Sequence, residues 1–256
     1  MSVTTEFAGA LLFCVVQFEE LTYPKYETPL AEAYGGGYES VFILLHPFVA
    51  VPPELAWRAT MQYPTDEQIA AVARKLRWGS VAAATGLRSS AKINQALLTS
   101  IGALSDYLRD DAARESLQAF LESESVWMPT EGRFEPLLHG DILDIFVDAG
   151  HEELIHIPEF PADGEVQRLS VAELSRGETA FPALGTLAAP DASFLFTVDW
   201  DSFFTLFYGP RSMVRETTAS HDMEGFFAAP TTEHSWFNYS MGCATVTLSP
   251  DDWTTD

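Results

Sequence analysis

The residues best suited to chemistry in this sequence stand in 194-FLFTVDWDSFFTLFYGPR-211, where Asp199 and Asp201 flank Trp200. Two carboxylates at that spacing could act as a general acid and base. A glycosidase-like pair would need about 5 to 10 Å between them and a cleft in front. Any D-x-D offers as much, so the flanking pattern has to decide. Phe194, Phe196, Val198 and Trp200 alternate with Leu195, Thr197 and Asp199. The next run sets Phe203, Thr205 and Phe207 against Phe204, Leu206 and Tyr208. Period-two alternation on both sides of Asp201 predicts an antiparallel hairpin. Aspartate suits its corner because the carboxylate can accept from local backbone amides. Asp199 and Asp201 are therefore read first as turn residues. With His221 they form the weak candidate set for catalysis, and no complete catalytic constellation is assigned.

The other motifs fall short on geometry. In 151-HEELIH-156 the histidines are five apart, whereas a zincin helix needs H-E-x-x-H on one face. Asp141, Asp144 and Asp148 would share a helical face, which reads as solvated acid and lacks the glycine turn of a calcium loop. His46, His139, His221 and His234 are scattered. There is no GxSxG elbow, and 34-YGGGY-38 lacks the context of a phosphate cradle. Cys14 and Cys243 sit among apolar residues and read as reduced core thiols. No metal site and no cofactor is expected.

Charge is unevenly placed. The chain has 256 residues and a formal net charge of −23. Between Gln68 and Ser105 there is no acidic residue, yet Arg74, Lys75, Arg77, Arg88 and Lys92 all fall there. These five are the candidate binding residues. Within the window, 81-VAAATGLRSSAKINQAL-97 has the outline of a helix-turn-helix, with Lys92 and Asn94 on the second helix. The ordinary alternative is a helical hairpin whose positive face meets the protein's own acidic surface. That alternative is preferred, because an anionic body repels phosphate and makes nucleic acid an unfavoured partner.

The elements that must position these groups follow from pattern. Segments 10–18 and 41–46 are apolar, β-branched runs and read as buried strands. The first lacks the basic flank and cleavage site of a signal peptide and is too short to span a bilayer. No other segment could span one, so a cytoplasmic protein is expected. Helices are predicted over 52–61, 65–76, 89–108 and 110–123. Thr65 and Gln68 make a capping box for the second. Segment 141–150 is helix or strand, 153–157 a strand, and 171–176 a short helix capped by Ser170 and Glu173. From residue 182 short β-like runs dominate. Together these predict a single α+β domain over 1–256. An antiparallel or mixed sheet, concentrated in 134–256, packs against a helical layer at 53–123.

At 42-FILLHPF-48, 89-SSAKINQALLTSIGAL-104 and 196-FTVDWDSFFTLFYGPR-211 the chain resembles a family of uncharacterised bacterial proteins, known only as a domain of unknown function. The resemblance implies a bacterial, cytosolic setting and carries no activity with it. The sequence alone favours a non-enzymatic acidic module that binds a basic protein partner, in the manner of an immunity or antitoxin protein. The alternatives are an enzyme whose site is built from distant acids and histidines, and, behind it, a DNA-binding regulator using residues 81–97. Sequence gives no oligomeric state.

Overall fold

A computed structural model describes residues 23–159 and 165–236. The predicted strand at 10–18, Cys14 and Cys243 lie outside them.

The centre is a seven-stranded sheet in which every neighbour is antiparallel. Its strands are β1 (Ser40–Leu45), β5 (Glu153–Ile157), β6 (Gln167–Ser170), β7 (Gly185–Ala188), β8 (Leu195–Val198), β9 (Phe204–Gly209) and β10 (Gly225–Phe227). They run in the order β10-β1-β9-β8-β7-β5-β6. Both faces are covered, so β1, β8 and β9 are buried along their whole length. Alternation assigns each side chain to one of two cores. Val41, Ile43, Leu195, Leu206 and Tyr208 go to one, with Trp78, Ile93 and Leu117 from the helical layer. Phe42, Leu44, Phe196, Val198 and Phe207 go to the other, with Ile142, Phe146 and Val214. This is the expected α+β class, with helices on both faces.

The first face is covered by α3 (Trp78–Thr85), α4 (Ser90–Ile101) and α5 (Asp111–Glu124). The second is covered by α6 (His139–Asp148), α7 (Val171–Ser175) and α8 (Arg211–Ser220). The short helix α1 (Trp57–Thr60) and α2 (Asp66–Val72) lie beside a small second sheet of β2 (Phe48–Ala50), β3 (Arg74–Leu76) and β4 (Val126–Trp127), ordered β3-β2-β4.

The hairpin read from the sequence is present. β8 and β9 pair with Phe196 opposite Phe207, whose rings stack at 4.2 Å and 20°. Thr65 and Gln68 make their capping box, and Ser170 caps α7. Of segment 141–150, the residues up to Asp148 are helix, in α6, and Ala149 and Gly150 turn out of it.

Two helices are shorter than their apolar periodicity predicts. The helix begun at Asp66 stops at Val72, and Arg74–Leu76 pairs with β2 instead. Tertiary pairing overrides a local helical pattern there. The helix predicted over 89–108 ends at Ile101, because Gly102 takes the left-handed conformation (φ 76°) and its amide closes on Leu98 and Thr99. Glycine adopts that cap without a Cβ penalty.

Candidate functional site

The chain between β2 and α2 and the chain following β4 are both too short and proline-rich to form long elements. Pro52 and Pro53 precede α1, Met61 turns left-handed at its end, and Thr65 starts α2. Across from them α5 presents Gln118, Leu121 and Glu122. The segment from Trp127 to Arg133 closes the other side, with Phe203 behind it. These walls enclose a cleft of about 740 Å³.

Three aromatic rings dominate it. Trp127 stands edge-to-face to Trp57 at 5.6 Å and 82°, and to Tyr63 at 5.1 Å and 69°. The polar atoms of two of them are held by backbone: Trp127 Nε1 donates to the Leu55 carbonyl at 2.9 Å, and Tyr63 Oη donates to the Met128 carbonyl at 3.0 Å. Trp127 and Tyr63 are thereby fixed in orientation, while Trp57 and Tyr63 keep about two-fifths of their surface open. Five charged residues line the cleft. Arg58 pairs with Glu122 at 3.3 Å and Arg133 pairs with Asp66. Among the described residues Glu131 has no such partner.

Behind one wall lies a buried polar network. Glu135 is wholly buried, and its Oε2 accepts from the Thr130 amide at 2.8 Å and from Thr130 Oγ1 at 2.9 Å. Burial pushes its carboxyl up to about 7, against the downward pull of the Thr130 hydrogen bonds. Thr130 itself lines the cleft. Its carbonyl lies 3.3 Å from His46 Nδ1, and His46 Nε2 is 2.8 Å from Thr205 Oγ1. Burial holds the His46 imidazole down to about 3, so it is neutral at physiological pH. Arg133 Nε is buried without a hydrogen-bond partner among the described residues.

The hairpin corner abuts this cleft. Gly132 donates its amide to the Ser202 carbonyl at 2.8 Å, and its φ is 63°. A Cβ there would overlap the Trp200 carbonyl. Only glycine lets the two chains touch, and the contact brings Glu131 to Asp201. Glu131's carboxyl is raised, first by loss of solvation and then by the charge and hydrogen bonding of Asp201. On the far side, Asp199 is buried and accepts from Tyr26 Oη; His234 Nε2 is 3.5 Å from its Oδ2. Burial raises the Asp199 carboxyl, while the Tyr26 hydrogen bond opposes the rise. Burial lowers His234 to about 4. The two aspartates thus serve different neighbours: Asp201 meets Glu131 beside the cleft, and Asp199 is enclosed by Tyr26 and His234.

The remaining sequence candidates lie elsewhere. His221 ends α8 and bridges to α6, with Nδ1 3.5 Å from Asp141 and Nε2 3.8 Å from Asp148. Lys75 pairs with Asp141, Arg77 with Asp222, and Lys92 with Asp110. Arg74 and Arg88 are exposed. Helix α4 buries Asn94, which the helix-turn-helix outline would have needed on the surface. His151 precedes β5 while His156 lies on it, bonded to the Leu184 carbonyl at 3.0 Å. Among the described residues no group of three or more His, Cys, Asp or Glu is arranged to hold a metal ion. No helix among them is long and apolar enough to cross a membrane.

Sequence reading singled out neither Glu131 nor Glu135. The signal available for Glu135 was an acid inside the apolar run 134-FEPLL-138; for Glu131, its neighbour Gly132. Neither tells which distant strand the residue will meet.

A family described as a protein of unknown function (DUF2711) matches residues 26–238. An uncharacterized protein of Bacillus subtilis (strain 168), YwbB, is 22% identical over 221 residues, which span 82% of this chain and 96% of that protein. No solved structure matches.

Proposed function

We propose, from the premise that the chain belongs to the DUF2711 family of proteins of unknown function, that it binds a small organic molecule in the cleft between α1, α5 and the 127–133 segment. The supporting observation is the cleft itself. Its volume of about 740 Å³ is in the range of small-molecule sites, and its mostly apolar wall carries a few converging polar groups. The rings of Trp57, Tyr63 and Trp127 would cover a flat apolar body. Thr130 and Arg133, both on the cleft wall, would border its polar end. Beside the cleft, loss of solvation and the neighbouring Asp201 raise the Glu131 carboxyl, the kind of shift a general acid uses. This favours the reading of a site built from distant acids. His46 and His234 are buried and do not line the cleft, so this reading assigns them no contact with the ligand.

The test is a thermal-shift and calorimetric screen of a diverse metabolite set on the wild-type chain and on Trp127→Phe and Thr130→Val. Binders that stabilise the wild type and weaken about tenfold or more in both variants are expected. A set with no binder, or binders indifferent to both changes, would overturn the proposal.

A second reading is an acidic module for a basic protein, of the immunity or antitoxin kind. The net charge of −23 favours it. Recovery of a basic partner with the protein from its native host, resistant to nuclease, would support that reading. The basic window offers little to an acidic or nucleic-acid partner, since Lys75, Arg77 and Lys92 already meet Asp141, Asp222 and Asp110.

A further inference from the structure

The cleft is chemically one-sided. Its two cations are neutralised within its own walls, Arg58 by Glu122 and Arg133 by Asp66. Its fifth charged residue, Glu131, has an acid, Asp201, for its near neighbour, and among the described residues no lysine, arginine or histidine lies within ion-pair distance of it. Two carboxyls held together by the Gly132–Ser202 contact leave a concentration of negative potential beside an apolar cavity. The same cavity exposes indole and phenol rings whose planes stand 82° and 69° to one another. Rings set on edge to each other form walls and not a stack, so more than one π-face can border a single occupant. An aromatic π-face attracts cations, most strongly for tryptophan, and the attraction grows as water is excluded. An anion would meet none of these groups favourably except arginines that are already paired.

Resting on the reading of the cleft as a small-molecule site, we infer that its occupant is an organic cation, an alkylated or protonated amine. The ammonium group would be bordered by Trp57, Tyr63 and Trp127, with Glu131 and Asp201 as its counter-charge. A cation beside Glu131 would offset the loss of solvation and the Asp201 charge that raise its carboxyl. Binding would then release a proton in the pH range where Glu131 is still partly protonated, since the ligand lowers the carboxyl it neutralises.

The experiment compares two soluble probes of one shape. Choline carries a trimethylammonium group; dimethylbutanol, with tert-butyl in its place, does not. Binding to the full chain is measured by ligand-observed NMR and calorimetry at constant ionic strength. Choline is expected to bind about tenfold more tightly than its carbon isostere, a preference that the sum of cation–π and carboxylate attraction supports. In Glu131→Gln and Asp201→Asn the preference should shrink several-fold, while affinity for the neutral probe stays within about twofold. Both positions are at least partly solvent-exposed, and a unchanged urea midpoint in each variant would show that folding is intact. Equal binding of the two probes would overturn the inference about charge and leave the cleft standing as a neutral-ligand site. Binding of neither probe would overturn this inference while the metabolite screen still decides the cleft. A preference that survives both substitutions would remove Glu131 and Asp201 from the ligand's surroundings and overturn the assignment.

Discussion

Glu135 shows how burial sets a residue's chemistry. Its carboxyl is pushed up to about 7 because ionisation behind Thr130 means charge without water. An ordinary glutamate in the unfolded chain titrates near 4.5. Between those values the folded protein holds a proton that the unfolded chain has lost, so this group's contribution to stability falls as pH rises. Glu135→Gln keeps an acceptor for Thr130 and cannot ionise. Relative to that variant, the wild type should lose stability from about pH 4.5 to about pH 7, by up to about 3 kcal/mol, then run parallel above. Urea midpoints at several pH values measure it. Parallel curves throughout would show that Glu135 does not titrate in this window. The subtraction is needed because His46, His139 and His234, held down by burial to about 3, 4 and 4, work the other way. They favour the folded state above pH 6.5 and weaken it as acid charges them in the unfolded chain.

Elements depend on contacts that the local sequence does not carry. Helix α3 begins at Trp78 with Arg77 as its N-cap and no side chain of its own closing the first amides. The closure comes from Glu224, which accepts from the Trp78 amide at 2.6 Å and the Gly79 amide at 2.9 Å. A carboxylate at a helix N-terminus satisfies orphan donors and complements the dipole. Glu224→Ala should lower stability by about 1–3 kcal/mol, read from denaturant midpoints, with Glu224→Gln costing less because one acceptor remains. An unchanged midpoint in the alanine variant would mean that water closes α3 equally well. The same dependence explains what could be read beforehand. The β8–β9 hairpin, the Thr65–Gln68 box and the Ser170 cap are legible because partner residues lie within a few positions. Strand β3 is not, since 65-TDEQIAAVARKL-76 keeps a helical face past Val72 and only the presence of β2 pulls Arg74–Leu76 away. The cleft is the extreme case: Trp57, Glu122, Trp127 and Phe203 meet across gaps in sequence that no periodicity spans.

For the whole molecule the governing quantity is charge: 37 acidic residues against 14 basic ones. The basic window is largely turned inward upon them, through Lys75–Asp141, Arg77–Asp222 and Lys92–Asp110. These pairs act at contact distance, whereas the repulsion among the excess acids acts over the dimensions of the molecule. Salt separates the two. From about 0.01 M to about 0.15 M the screening length falls from about 30 Å to about 8 Å. Long-range repulsion is then largely removed, and partly exposed contact pairs, each worth about 0–1 kcal/mol, lose only part of their small value. The excess acid destabilises the compact state more than the unfolded one, because folding brings like charges closer. Thermal stability should therefore rise with monovalent salt over this range, by a few degrees in Tm, in a salt that does not bind carboxylates specifically. Scanning calorimetry at fixed pH reads it directly. A falling Tm would show that the contact pairs, and not the net charge, dominate the electrostatics of this fold.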